Sequence, residues 1–149
     1  MIDLAARQHG VVTTADLAAA GLVRRAVARR VAQGRLRRLH RGVFLVGPLR
    51  GPLTGEMAAL LAVGHDATLS HRSAAARWEI LPPTDDPVDV SVSQGHPRNR
   101  PGIRIHRTRC LEHSVNAGLR VTTPLRTLFD LASTIGARDL ERAVEEAQI

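Results

Sequence analysis

Apolar residues recur along the first third of the chain at two spacings. Val23, Val27 and Val31 fall every fourth position. At about 100° per residue they form one stripe of a helix. Arg25 and Arg29 point away from that stripe, and Arg24 and Arg30 flank it on opposite sides. The pattern predicts a helix over residues 23–33, stopped by Gly34, that packs through its valines and turns its arginines to solvent. Two shorter helices are predicted before it. One runs over 2–8 and is closed by Gly10. The other runs over 15–20, with Thr13 and Thr14 as N-cap candidates and Gly21 as the following turn.

After Gly34 the spacing changes. Apolar runs around Leu36–Leu39 and Val43–Val46 surround His40-Arg41-Gly42. This is the signature of a β-hairpin, with Gly42 where a positive φ is tolerated. Helix, helix, basic helix, basic hairpin is the order of a winged helix-turn-helix, here over residues 1–50.

The Gly/Pro-rich stretch 47–52 reads as a linker. Beyond it, Thr54 is placed to cap a helix over 55–63 with Glu56 in its first turn. Ser70 is placed to cap a second helix from His71 to Glu79, stopped by Pro82 and Pro83. Residues 88–93 alternate Val with Asp or Ser, a strand pattern, and a loop through His96 leads to a partner strand over 103–107. Thr123 and Pro124 open a helix to Ser133. The last helix, from Ala137, turns Leu140, Val144 and Ala147 inward. The fold class is α+β: a winged helix-turn-helix, then a small mixed α/β domain over 53–149. The chain stops in mid-helix, the pattern of a segment of a longer gene product.

Charge sharpens this division. Residues 1–50 hold ten Arg against two acids, a net of +8, whereas 51–149 hold eleven Arg against twelve acids, a net of −1. Eight Arg and no acid lie between Leu22 and Arg41. A disordered basic tail would not carry the apolar periodicity found here, so a folded element with one basic face is expected, the footprint of a polyanion partner. The chain has no Lys, which excludes Walker A, Schiff-base and lysine-dependent nuclease chemistry. Its single cysteine, Cys110, cannot form an internal disulfide, and no signal peptide is evident, so a cytoplasmic location is expected.

Arg25 and Arg29 are the candidates for the DNA major groove, because Arg makes the bidentate contact to guanine most readily. Arg24 and Arg30 are candidates for phosphate contacts from the helix; Arg35, Arg37, Arg38 and Arg41 are candidates from the wing. Thr13 and Thr14, at a helix start, are further phosphate candidates. For each the alternative is a solvated surface. His71 and Arg72 follow a capped helix start, which is favoured over a binding site. Asp66, Ser70 and His71 have nothing that fixes a catalytic triad. His65, His71, His96, His106 and His113 lack metal-ligand spacing, so no metal and no cofactor are expected. Trp78 reads as core, and Asp89, on a strand, lacks the acid and lysine partners of a nuclease.

Several motifs together resemble a known family. Residues 10–17, the turn Ala20-Gly21-Leu22, residues 24–27 and residues 34–44 resemble the N-terminal domain of AbiEi-type antitoxins. Residues 69–78, 103–106 and 121–131 resemble the second domain found in that group. The resemblance implies the antitoxin and autorepressor of a type IV toxin–antitoxin operon. Its winged helix would bind promoter repeats and its second domain would oppose a nucleotidyltransferase-like toxin. Some relatives continue into a Vsr-like nuclease domain, which is missing here. Val23 departs from the pattern, since relatives often carry Ser or Thr there and Val cannot cap. Two alternatives stay open: a protein-interaction module that neutralises a toxin with DNA binding secondary, and the N-terminal part of a Vsr-like endonuclease.

Overall fold

The computed structural model describes residues 2–95 and 97–147. The chain divides into two compact units, Met1–Ala62 and Val63–Ile149.

The first unit runs α1 (Ile2–Arg7), β1 (Val11–Thr13), α2 (Thr14–Ala19), α3 (Arg24–Ala32), β2 (Leu36–His40), β3 (Val43–Val46) and α4 (Thr54–Val63). The expected hairpin is present, with a bulge between Arg38 and His40. Strand β1 adds to its other side, pairing Val12 with Phe44, so the antiparallel order is β1-β3-β2. A three-residue Val-Val-Thr strand is too short to show alternation, but its β-branched residues suit a pleated sheet. A small core gathers Ala5, Val12, Leu17, Leu36 and Phe44, and Leu22, Val27, Val31 and Val46 pack against it.

Two expectations here need correction. Val23 does not join the apolar stripe of α3. It is the N-cap residue, extended at φ −71° and ψ 156°, and is 68% exposed. Leu22 takes its place against the core. Thr54 does not cap α4 from outside but is its first residue. Its Oγ1 accepts from the Gly51 N–H and donates to the His9 carbonyl, each at 2.9 Å. That bond ties α4 to the first unit, so the 47–52 linker precedes the last element of this unit instead of separating the two units.

The second unit runs β4 (Thr68–Leu69), α5 (His71–Arg77), β5 (Val88–Val92), β6 (Ile103–Arg107), β7 (His113–Asn116), β8 (Leu119–Thr122), α6 (Pro124–Ala132) and α7 (Ala137–Ala147). Its mixed sheet has the order β6-β5-β4-β8-β7. Pairs β5–β6 and β4–β8 are parallel; β4–β5 and β7–β8 are antiparallel. Thr123 caps α6 by accepting from the Arg126 N–H. Ala75, Ile80, Leu131 and Ala143 form a second core, with Trp78 packed on it and its Nε1 donating to the Thr122 carbonyl at 2.8 Å.

Three further corrections fall in this unit. Ser70 holds the N-cap position of α5, but its side chain makes no cap hydrogen bond. Strand β5 alternates as expected, yet its polar face is not solvated: Asp89 and Ser91 are as buried as Val90 and Val92. On α7 the fully buried residue is Ala143, while Ala147 is exposed. Among the described residues, no helix is long and apolar enough to cross a membrane.

Candidate nucleic-acid interface

Local chemistry fixes α2, α3 and the hairpin as one frame. Thr13 and Asp16 form a reciprocal capping box. The Thr13 Oγ1 accepts from the Asp16 N–H at 3.1 Å, and the Asp16 carboxylate accepts from the Thr13 N–H at 2.7 Å. At the other end of α2, Gly21 N–H donates to Ala18 and Leu22 N–H to Leu17. This is a Schellman closure, and the positive φ of Gly21 (79°) permits it. Helix α3 ends the same way, with Gly34 bonding Val31 and Arg35 bonding Arg30. The hairpin tip is tied to α2, because the Gly42 carbonyl accepts from the Thr14 N–H at 2.8 Å and from its hydroxyl at 3.3 Å.

On this frame the ten candidates separate. Arg25 and Arg29 are exposed one turn apart on α3 and border a shallow depression with Val23 and Ala26. Arg24, Arg38, Arg41 and Thr14 line a wide groove between α2, α3 and the hairpin, floored by Val27, Val31 and Phe44. The Arg38 guanidinium sits 5.7 Å from the Phe44 ring centre, a cation–π contact that orders it. Arg30 is half-buried and turns back to the Ala26 carbonyl at 3.4 Å. Arg35 and Arg37 are exposed, but Arg37 pairs across to Leu45 and so lies on the sheet face opposite Arg38. The Thr13 hydroxyl is spent on Asp16, to which it donates at 2.8 Å. Among the described residues, none of these arginines is in an ion pair.

The second unit holds a polar cluster that sequence spacing did not disclose. His71 and His106 stack with ring centres 3.6 Å apart. Asp89 Oδ1 accepts from His106 Nε2 at 2.8 Å and from Arg104 Nη1 at 3.2 Å. Burial pushes the His71 imidazole below its ordinary value, and His106 pushes it further. Asp66 joins no triad with Ser70 and His71. Its carboxylate accepts from Ser93 and from the Gln94 N–H. Burial raises the Asp66 carboxyl, but the Gln94 and Ser93 bonds outweigh it and hold it below its ordinary value. His96 lies outside the described residues; among them, no three His, Cys, Asp or Glu side chains are placed to hold a metal ion.

Residues 1–47 match the family model described as transcriptional regulator, AbiEi antitoxin. No curated protein matches the chain. Over those 47 residues the chain is similar to the AbiEi antitoxin transcriptional regulators, and the remaining residues are outside the match.

Proposed function

We propose that the first unit binds double-stranded DNA and that the chain represses its own operon as the antitoxin of a type IV toxin–antitoxin pair. One observation carries this reading. Arg25 and Arg29 project from α3, Arg24, Arg38, Arg41 and Thr14 surround the adjoining groove, and among the described residues none of these arginines is in an ion pair. Like charges on one helix face cost a few tenths of a kcal/mol per pair, and phosphates relieve that repulsion. In this reading α3 enters the major groove, where Arg25 and Arg29 meet base edges. Arg24, Arg38 and Arg41, with Thr14, hold the phosphates beside it. Arg35 adds a phosphate contact from the hairpin. Arg30, Arg37 and Thr13 are the weaker members of the set, for the geometric reasons given above.

The second unit is assigned the protein partner, a nucleotidyltransferase-like toxin. This part rests on the motif resemblance over residues 69–131. The two roles are separable by experiment. Charge reversal, Arg25→Glu with Arg29→Glu, is expected to abolish retention of the chain's own upstream DNA in a mobility shift and to release a promoter reporter. Neutralisation of the toxin is expected to survive. A double variant that still shifts the upstream DNA as the parent does would overturn the assignment of α3. Loss of neutralisation with DNA binding would overturn the division of roles.

A further inference from the structure

We propose that the second unit contains a binding site for the phosphate group of a small phosphorylated molecule, formed by His71, Arg72 and Arg104. The site is independent of the DNA reading, since all of its residues lie in the second unit.

The pocket has a volume of 390 Å³ and is lined by these three residues with His106, Asp86, Asp89 and Thr134. That is more than a bare phosphate needs and within the range of small-ligand sites. A hydrogen-bond chain behind the pocket sets the character of His71. Ser91 Oγ, 1% exposed, donates to Ser70 Oγ at 2.8 Å. Ser70 Oγ, fully buried, then has its own proton left for His71 Nδ1, 3.0 Å away. An imidazole that accepts at Nδ1 carries its hydrogen at Nε2. His71 is 7% exposed, and that remainder opens into the pocket. Among the described residues its Nε2 has no hydrogen-bond partner and is not sealed from solvent, so the N–H is open to a ligand in the pocket.

The other groups are held in place. Asp89, 2% exposed, fixes both Arg104 and His106 through one carboxylate oxygen. It therefore serves as the anchor of the cationic side, and Asp86 lies exposed at the rim. The backbone of His71 is left-handed, with φ 47°, a conformation that a non-glycine residue keeps only when its surroundings enforce it. The donors that can meet a ligand are the His71 N–H, the Arg72 guanidinium and the part of the Arg104 guanidinium that Asp89 does not hold, and the acceptors in the same lining are Asp86 and Asp89. Two guanidinium groups beside an imidazole N–H suit an oxyanion, and their forks match the oxygens of a phosphate. Ser70 is no nucleophile here, because its hydroxyl is buried and committed to His71.

The test is a titration of the full chain followed by the histidine side-chain nitrogen resonances in NMR. The probes are inorganic phosphate, adenosine 5′-monophosphate and phosphate-free adenosine. The expected result is an Nε2–H tautomer for His71 and saturable shifts of His71 and His106 with phosphate or the monophosphate, but not with adenosine. Tighter binding of the monophosphate than of phosphate identifies a phosphate ester as the ligand; equal binding identifies the free ion. Arg104→Gln, at a half-exposed side chain, leaves His106 bonded to Asp89 and is expected to weaken binding about 10-fold or more, as is Arg72→Gln. No saturable shift up to about 10 mM of either phosphate probe would overturn the proposal. So would an Nδ1–H tautomer, equal shifts with adenosine, undiminished binding in both variants, or shifts produced by duplex DNA alone.

Discussion

The imidazole of His71 lies flat on that of His106, with ring centres 3.6 Å apart and planes inclined by 19°. Two rings this close do not both carry charge at low cost, and Asp89 bonds His106 directly. His71 is accordingly pushed below its ordinary value, by burial first and by His106 second. The native state thus resists a proton that the unfolded chain accepts below its reference pKa of about 6.5. Unfolding takes up a proton in that window, so stability falls as the pH drops through it and not as the pH rises. Urea midpoints at about pH 7.5 and 5.5 are expected to differ in the parent and to differ less in His71→Gln. Asp66 does not interfere, because its carboxyl is held below 3.8, outside this interval. Equal losses in parent and variant would contradict the account.

Helix α3 lacks a side-chain cap because Val23 occupies the N-cap position, with its side chain in solvent. Its backbone is already extended there, as a cap requires. Val23→Ser is expected to stabilise the first unit by about 0.5–1 kcal/mol, read by thermal or urea unfolding. A loss of stability would mean that Val23 packs against something in solution.

The reverse experiment applies to α2. Thr13→Ala removes one half of the capping box and is expected to cost about 1 kcal/mol, as is Asp16→Ala. The two residues bond each other reciprocally, so the double variant should cost less than the sum of the singles. Additive losses would show that the box does not act as a unit.

Gly42 and Gly21 both have a positive φ, 77° and 79°. A Cβ at Gly21 meets open space, whereas one at Gly42 comes within 3.3 Å of Thr14 Oγ1. Each change to Ala costs about 1–2 kcal/mol for the left-handed backbone. Gly42→Ala is expected to cost more than Gly21→Ala and to weaken DNA binding, since it disturbs the Thr14–Gly42 tie that seats the hairpin. Equal costs would place the hairpin tip farther from α2.

The sequence was most legible where periodicity met punctuation. Glycines 21 and 34 ended α2 and α3, and the hairpin was visible in its two apolar runs around Gly42. Strands β1 and β4 were not, because three and two residues cannot establish a period of two. Val23 misled because it keeps the four-residue spacing of Val27 and Val31 while standing one position outside the helix. The cluster in the second unit was hidden for another reason. His71, Asp89 and His106 lie far apart along the chain and match no local motif. A signal was present nonetheless. Strands β5 and β6 pair Asp89 with Arg104 and Ser91 with His106, so one face of the pair collects four polar residues between alternating Val and Ile. Burial of that polar face follows from tertiary packing, which the alternation does not encode.

The central claim is that α3 reads DNA through Arg25 and Arg29. It is tested most directly by fluorescence anisotropy of the full chain on its own upstream duplex and on a scrambled duplex across a salt series. If about five arginines meet phosphates, log K should fall with log salt at a slope of about −4 to −5. Arg25→Ala with Arg29→Ala should abolish the preference for the upstream duplex. Weak binding that is equal for the two duplexes, or a preference unchanged by the double substitution, would contradict the account.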